Sequence, residues 1–241
     1  MLSKILIIIP AYNEEKAIHG LIAEIRSAAP FADILVINDH SQDQTEAQAL
    51  NAGADVITLP FNLGIGGAVQ TGYKTAAELN YDIAIQLDGD GQHDPRYLAE
   101  LIRPITENKL DLCIGSRFLL HDSSFKSTAI RRIGIAFFRK LLGLMTGLDL
   151  TDPTSGFRAC NRKLICQFAE YYPIDFPEPE AIKMARRLNA RVGEVAVQMR
   201  ERQGGQSSIR YFATLYYMLK VTLAILIDAL KKKPKESRHA G

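Results

Sequence analysis

The chain has little cysteine and almost no net charge. Its 241 residues include three cysteines, Cys113, Cys160 and Cys166. An odd number without metal-ligand spacing argues against a disulfide scaffold and a cysteine metal site, and fits reduced thiols in a cytosolic protein. Lysine and arginine number 29 against 27 acids, giving a formal net charge of +2. Nucleic-acid binders usually carry a strong basic stripe, so no nucleic-acid partner is expected. The opening apolar run, Ile5 to Ile9, is too short for a signal peptide and lacks a small-residue cleavage site, so export is not expected. No internal repeat is visible. Gly64-x-Gly66-Gly67 falls short of a dinucleotide fingerprint, because position 69 is Val69 and the loop follows the third strand-like run rather than the first. Lys74 lies inside a helical pattern, not in a phosphate-loop motif. What remains is an ordinary apolar content on a length that suits one large α/β domain, or a domain with a subdomain.

The first half alternates strand and helix patterns. Lys4 to Ile9 is a continuous apolar run stopped by Pro10, as expected of a strand buried on both faces. Ile18, Leu21, Ile22 and Ile25 recur at helical spacing. Asp33 to Ile37, Asp55 to Leu59, Asp82 to Leu87 and Leu110 to Gly115 read as further strands. Helices are expected over Gln44 to Asn51, from the glycine-rich loop at Asn62 to about Leu79, and over Arg96 to Asn108 behind Pro95. This order implies a mainly parallel sheet with helices on both faces. Ligands of such sheets bind beyond the carboxyl ends of the strands. Pro10 to Glu14, Asn38-Asp39, Asn62, Asp88 to Asp90 and Ser116-Arg117 all fall at those ends.

The second half is less regular. Ile130 to Met145 reads as a helix, Thr151 to Phe157 as a turn-rich stretch, and Arg191 to Met199 as a strand. Pro177 and Pro179 stiffen the entry to a helix reaching about Leu188. Tyr211 to Leu230 is apolar nearly all round, broken by Lys220 and Asp228. It is long enough to cross a bilayer, but a central lysine costs about 3 kcal/mol there. Packing on the domain or a partner chain, or lying in the membrane interface, are the other readings. The basic tail from Lys231 can be a solvated terminus or can attract anionic headgroups.

The strongest chemical signal is Asp88-Gly89-Asp90, directly after a buried strand pattern. Two carboxylates one residue apart make a seat for a hard divalent cation, which takes one or two carboxylates plus substrate phosphates. The glycine permits a sharp turn and leaves room for a bulky ligand.

Taken together, Ile9 to Glu15, Asn38 to Asp43, Asn62-Leu63-Gly64 through Gly72, Asp88 to His93, Gly115 to Arg117, Asp152 to Arg158 and Arg202 to Ser208 resemble glycosyltransferase family 2, in the branch similar to dolichyl-phosphate mannose synthases. The resemblance implies a GT-A fold and inverting transfer of a hexose from a UDP- or GDP-linked sugar, with Mg²⁺ or Mn²⁺. It implies a donor-binding half over residues 1–117 and an acceptor-binding half over 118–208. A C-terminal apolar helix (209–230) and a basic tail (231–241) follow. By resemblance, Pro10, Ala11, Tyr12 and Glu14 form the donor-base pocket, and Asp39 contacts the nucleoside. Asp88, Asp90 and Gln92 hold the metal, with Asp88 also near the ribose. Arg117, Arg202 and Ser207 meet donor phosphates; Arg131 and Asp152 serve the acceptor side. His40 departs from the family's usual glycine at that turn. His93 reads as a satisfied histidine beside the metal seat, not as a ligand.

An inverting transfer to a hydroxyl needs a carboxylate base. Glu180 is preferred for it and Glu178 is the alternative. A polyprenyl-phosphate acceptor is already anionic and needs no strong base; a lipid-linked or glycan hydroxyl does. The expected setting is the cytoplasmic face of a membrane, with an anionic lipid surface as partner and homo-oligomers possible through the terminal helix. Two other classes stand beside this one. A sugar-nucleotide pyrophosphorylase would show a glycine-rich, arginine-containing signature after the first strand, where this chain has Pro10 to Glu14. A non-catalytic sugar-nucleotide sensor or subunit would show decay of the acidic motif or the late arginine loop.

Overall fold

The computed structural model describes residues 3–119, 139–140, 143–174 and 177–200. The first five strands are β1 (Ile5–Ala11), β2 (Asp33–Asn38), β3 (Asp55–Thr58), β4 (Ile83–Gln86) and β5 (Leu112–Ser116). Two more follow, β6 (Arg158–Asn161) and β7 (Val192–Ala196). They form one sheet in the order β3-β2-β1-β4-β6-β5-β7. The helices are α1 (Ile18–Ala28), α2 (Thr45–Asn51), α3 (Gly64–Glu78), α4 (Leu98–Thr106), α5 (Arg162–Glu170) and α6 (Pro177–Arg187).

Strand alternation divides the core in two. Leu6, Ile8, Leu35 and Ile37 face one side, against Val69 and Tyr73 of α3, Phe168 of α5 and Ile182 of α6. Ile5, Ile7, Ile9, Ile34 and Val36 face the other, against α1 and α4. Every residue of β1 is buried, which explains why its sequence is apolar without alternation. The expected mainly parallel sheet with helices on both faces is therefore the fold, and its first five strands lie where the apolar runs put them.

The second half departs from expectation. β6 and α5 were not among the expected elements. β6 runs antiparallel to β4 on one side and β5 on the other. Four residues containing a fully buried arginine carry no apolar run. The helix expected from Arg96 opens as a short 3₁₀ turn over Pro95–Tyr97, with the Asp94 carboxylate accepting from the Arg96 amide. The helix expected over Ile130 to Met145 falls mostly outside the described residues. The stretch from residue 201 onward, with the apolar helix and basic tail, lies wholly outside them. Among the described residues, no helix is long and apolar enough to cross a membrane.

One close approach fixes the rim of the sheet. A Cβ placed on Gly66, at the start of α3, would stand 2.3 Å from the Pro173 carbonyl oxygen and 2.5 Å from the Ile174 Cα. Backbone meets backbone there, so no side chain can yield. Gly66→Ala is expected to cost about 1–3 kcal/mol by overpacking, read as a lower urea midpoint. An unchanged midpoint would contradict this contact.

Candidate active site

Parallel strands β1, β2 and β4 end on the same rim, and their last residues carry the site. At the end of β1, Pro10 and Ala11 are buried while Tyr12 is about half exposed (49%). Glu14 is buried, and its amide donates to Thr45 Oγ1 at 2.8 Å. The Asp39 amide donates to the Ala11 carbonyl at 2.9 Å, which ties the ends of β1 and β2 together. The Asp39 carboxylate accepts from the amides of Leu63 (2.7 Å) and Gly64 (2.9 Å) at the start of α3. Burial raises its pKa, and these two amide bonds partly offset the rise. His40 holds the left-handed backbone (φ 62°), the conformation that glycine adopts without strain.

Asp88-Gly89-Asp90 turns off the end of β4. The Gly89 amide donates to the Pro10 carbonyl at 3.3 Å, so the turn leans on the end of β1. The Gln92 amide donates to Asp90 Oδ1 at 2.9 Å. The Asp88 amide donates to His93 Nδ1 at 3.0 Å. Asp88 Oδ1 is buried and accepts no hydrogen bond. An anionic oxygen left in that condition is costly unless a cation or water meets it. Among the described residues, no group of three or more His, Cys, Asp or Glu side chains makes a metal cage. Two hard carboxylates with a bare oxygen instead fit a cation that shares its coordination with substrate phosphates.

The loop from Asp152 to β6 closes on this turn. A Cβ on Gly156 would lie 2.8 Å from Asp88 Oδ1 and 2.9 Å from Oδ2, so the glycine is required for the carboxylate to sit where it does. Phe157, fully buried, stacks on His93. Arg158, also fully buried, donates through Nε to the Ser155 carbonyl (3.1 Å) and through Nη1 to the Glu178 carbonyl (3.1 Å). Its guanidinium therefore pins the loop to the first turn of α6. Tyr172 donates to Gln86 Oε1 at 3.3 Å beneath the same site.

Glu178 sits half-buried on α6. Desolvation raises its pKa; nearby Arg158 opposes this, and nearby Asp88 adds to it. Glu180, also half-buried, lies two residues further on in the first turn of the same helix, and side chains at that spacing diverge by about 200°.

Arg117 and Asp152 were expected to meet phosphate and acceptor; in this structure they grip each other. Arg117 Nε and Nη2 donate to Asp152 Oδ2 (2.6 Å) and Oδ1 (2.7 Å) in a fully buried fork. Glu194 of β7 in turn accepts from the Thr151 and Asp152 amides at 2.7 Å each. Arg131, Arg202 and Ser207 lie outside the described residues. Arg158 and Glu194 were not singled out from the sequence. A charged residue within a short, weakly patterned strand gives little local signal.

The profile of the family described as Glycosyl transferase family 2 matches residues 6–168. The chain belongs to that family. It is a glycosyltransferase, in the branch similar to dolichyl-phosphate mannose synthases. Among relatives of this glycosyltransferase, the UDP-N-acetylglucosamine–dolichyl-phosphate N-acetylglucosaminyltransferase of Methanococcus voltae is 32% identical over 217 residues, spanning 80% of this chain and 84% of the relative. The undecaprenyl-phosphate mannosyltransferase of Micrococcus luteus is 31% identical over 216 residues, spanning 86% and 87%. The crystal structure of Mycobacterium tuberculosis glucosyl-3-phosphoglycerate synthase with Mn²⁺, UDP and phosphoglyceric acid superposes with a TM-score of 0.69. It is 23% identical, covers 94% of this chain and 78% of that one, and shares the fold.

The buried Arg117–Asp152 pair carries a stability prediction. Removing one partner strands the other charge, so Arg117→Met should cost about 3–5 kcal/mol. The double variant Arg117→Met/Asp152→Leu should recover part of that loss in urea unfolding. A single variant costing less than the double would contradict the pairing.

Proposed function

We propose that this glycosyltransferase moves a hexose, with inversion at the anomeric carbon, from a UDP- or GDP-linked sugar to a polyprenyl phosphate. Asp88, Asp90 and Gln92 would hold Mg²⁺ or Mn²⁺. The observation that carries the reading is the buried, unmatched Oδ1 of Asp88 at the carboxyl rim of the sheet. A divalent cation bound there supplies charge stabilisation for the departing nucleoside diphosphate.

The chain's own residues do the positioning. Asp88 and Asp90 hold hard oxygens in a turn braced against the end of β1. Pro10, Ala11, Tyr12 and Glu14 form the donor-base pocket, with the half-exposed Tyr12 ring available to lie against a planar base. Asp39 holds the loop before α3 through the Leu63 and Gly64 amides and keeps acceptor capacity on both oxygens to contact the nucleoside. Arg117 and Asp152, locked together, set the height of the 152–158 loop above the turn. Arg131, Arg202 and Ser207 remain the proposed contacts to acceptor and donor phosphate.

Chemistry and kinship support this acceptor. The Methanococcus and Micrococcus relatives are named for dolichyl-phosphate and undecaprenyl-phosphate acceptors. A phosphate monoester attacks as an anion already, so the transfer needs no strong base. Tyr12, Phe61, Leu63, Ile65, Tyr171 and Ile174 are exposed apolar side chains on loops and first turns along this rim. They suit an enzyme that works against a lipid surface at the cytoplasmic face of a membrane. The second reading, a sugar-hydroxyl acceptor, would take Glu180 or Glu178 in the first turn of α6 as its base; burial raises the Glu178 pKa, the direction that suits such a group.

The test is a screen of nucleotide sugars for thermal stabilisation with Mn²⁺ or Mg²⁺, followed by transfer to polyprenyl phosphate. Asp90→Ala should abolish transfer and leave the melting temperature within a few degrees. Glu178→Gln should keep transfer to polyprenyl phosphate within about tenfold, whereas loss of an essential base costs about 10²–10⁴-fold. Normal turnover by Asp90→Ala would overturn the metal assignment, and a base-sized loss in Glu178→Gln would favour the hydroxyl acceptor.

A further inference from the structure

We infer that His93 is a positioning residue for the metal-binding carboxylate of Asp88, a role that rests on the metal reading above. The ring is almost fully buried (3% exposed) and lies nearly parallel to Phe157, with centroids 5.1 Å apart and planes 13° apart. Its Nδ1 accepts the Asp88 amide proton at 3.0 Å. That bond consumes the Nδ1 lone pair, so the neutral ring carries its proton on Nε2. Nε2 stands 3.7 Å from Asp88 Oδ2, too long for a direct hydrogen bond but aimed at the same residue. Neither nitrogen is therefore available to a metal. The histidine instead fixes the backbone from which the ligand projects.

Three further contacts make this a clamp. Gly156 closes on the other side of the Asp88 carboxylate, at 2.8–2.9 Å from where its Cβ would be. The His93 backbone forms an antiparallel bridge with Met199, and the Arg200 amide donates to the Gln92 carbonyl at 2.8 Å. The ring is thus held by Phe157 from the 152–158 loop and by the backbone after β7. The geometry assigns it the orientation of Asp88 as its output.

Two variants separate the hydrogen bond from the packing. His93→Phe keeps a ring on Phe157 and deletes the acceptor. His93→Asn places an amide oxygen near the Nδ1 position and deletes the ring. Mn²⁺ binding is read by calorimetry on the full chain, with UDP and with GDP, alongside thermal melting. Residues that orient metal ligands typically contribute 10–100-fold to metal affinity. His93→Phe is expected to weaken Mn²⁺ binding by about that factor, and His93→Asn to recover most of it. Wild-type affinity in His93→Phe, or equal weakening in both variants, overturns the inference while leaving the metal reading intact. Wild-type protein that binds no Mn²⁺ overturns both. Should His93→Phe not fold, Phe157→Leu removes the stack alone; a severalfold weaker Mn²⁺ affinity is then expected, and wild-type affinity overturns the inference.

Discussion

The site depends on one steric contact, the backbone of Gly156 against the carboxylate of Asp88. No side chain fits between them. The contact exists because β6 enters the sheet antiparallel between β4 and β5. A parallel strand there would deliver its preceding loop to the opposite edge. The antiparallel strand brings residues 152–157 to the carboxyl rim, where the acidic turn already stands. The fold thus uses one reversed strand to place a loop from the second half of the chain over a ligand seat built by the first.

Charge keeps that loop in place. Arg117 and Asp152 neutralise each other in the interior, and Glu194 takes the amides beside them. Arg158 differs, because its guanidinium donates to carbonyls and not to a carboxylate. Its guanidinium lies between the 152–158 loop and the first turn of α6. A buried charge is costly unless it is hydrogen-bonded, and these carbonyls meet that need.

Much of this was legible in the residues. Buried parallel strands are apolar on both faces, so β1, β2 and β4 stand out as runs, and the motifs at their ends fall on one rim. β6 could not be found that way. Its four residues include Arg158, whose burial is made tolerable by carbonyls three and twenty residues away. α5 did leave a trace: Asn161 accepts from the Leu164 amide as an N-cap, ahead of Leu164, Ile165 and Phe168 at helical spacing. Arg117 and Asp152 lie at the site, yet their side chains point at each other, a pairing across thirty-five positions that local sequence does not encode. The choice between Glu178 and Glu180 depends on the phase of α6, which the two prolines beside them do not set.

The most direct measurement of the central claim is a crystal structure of the full chain grown with Mg²⁺ and UDP or GDP. The account predicts the cation about 2.1 Å from oxygens of Asp88 or Asp90, bridging to the diphosphate, with Asp88 still packed on Gly156. A diphosphate and cation bound away from this rim, or an Asp88 carboxylate swung clear of Gly156 to reach the metal, would contradict it.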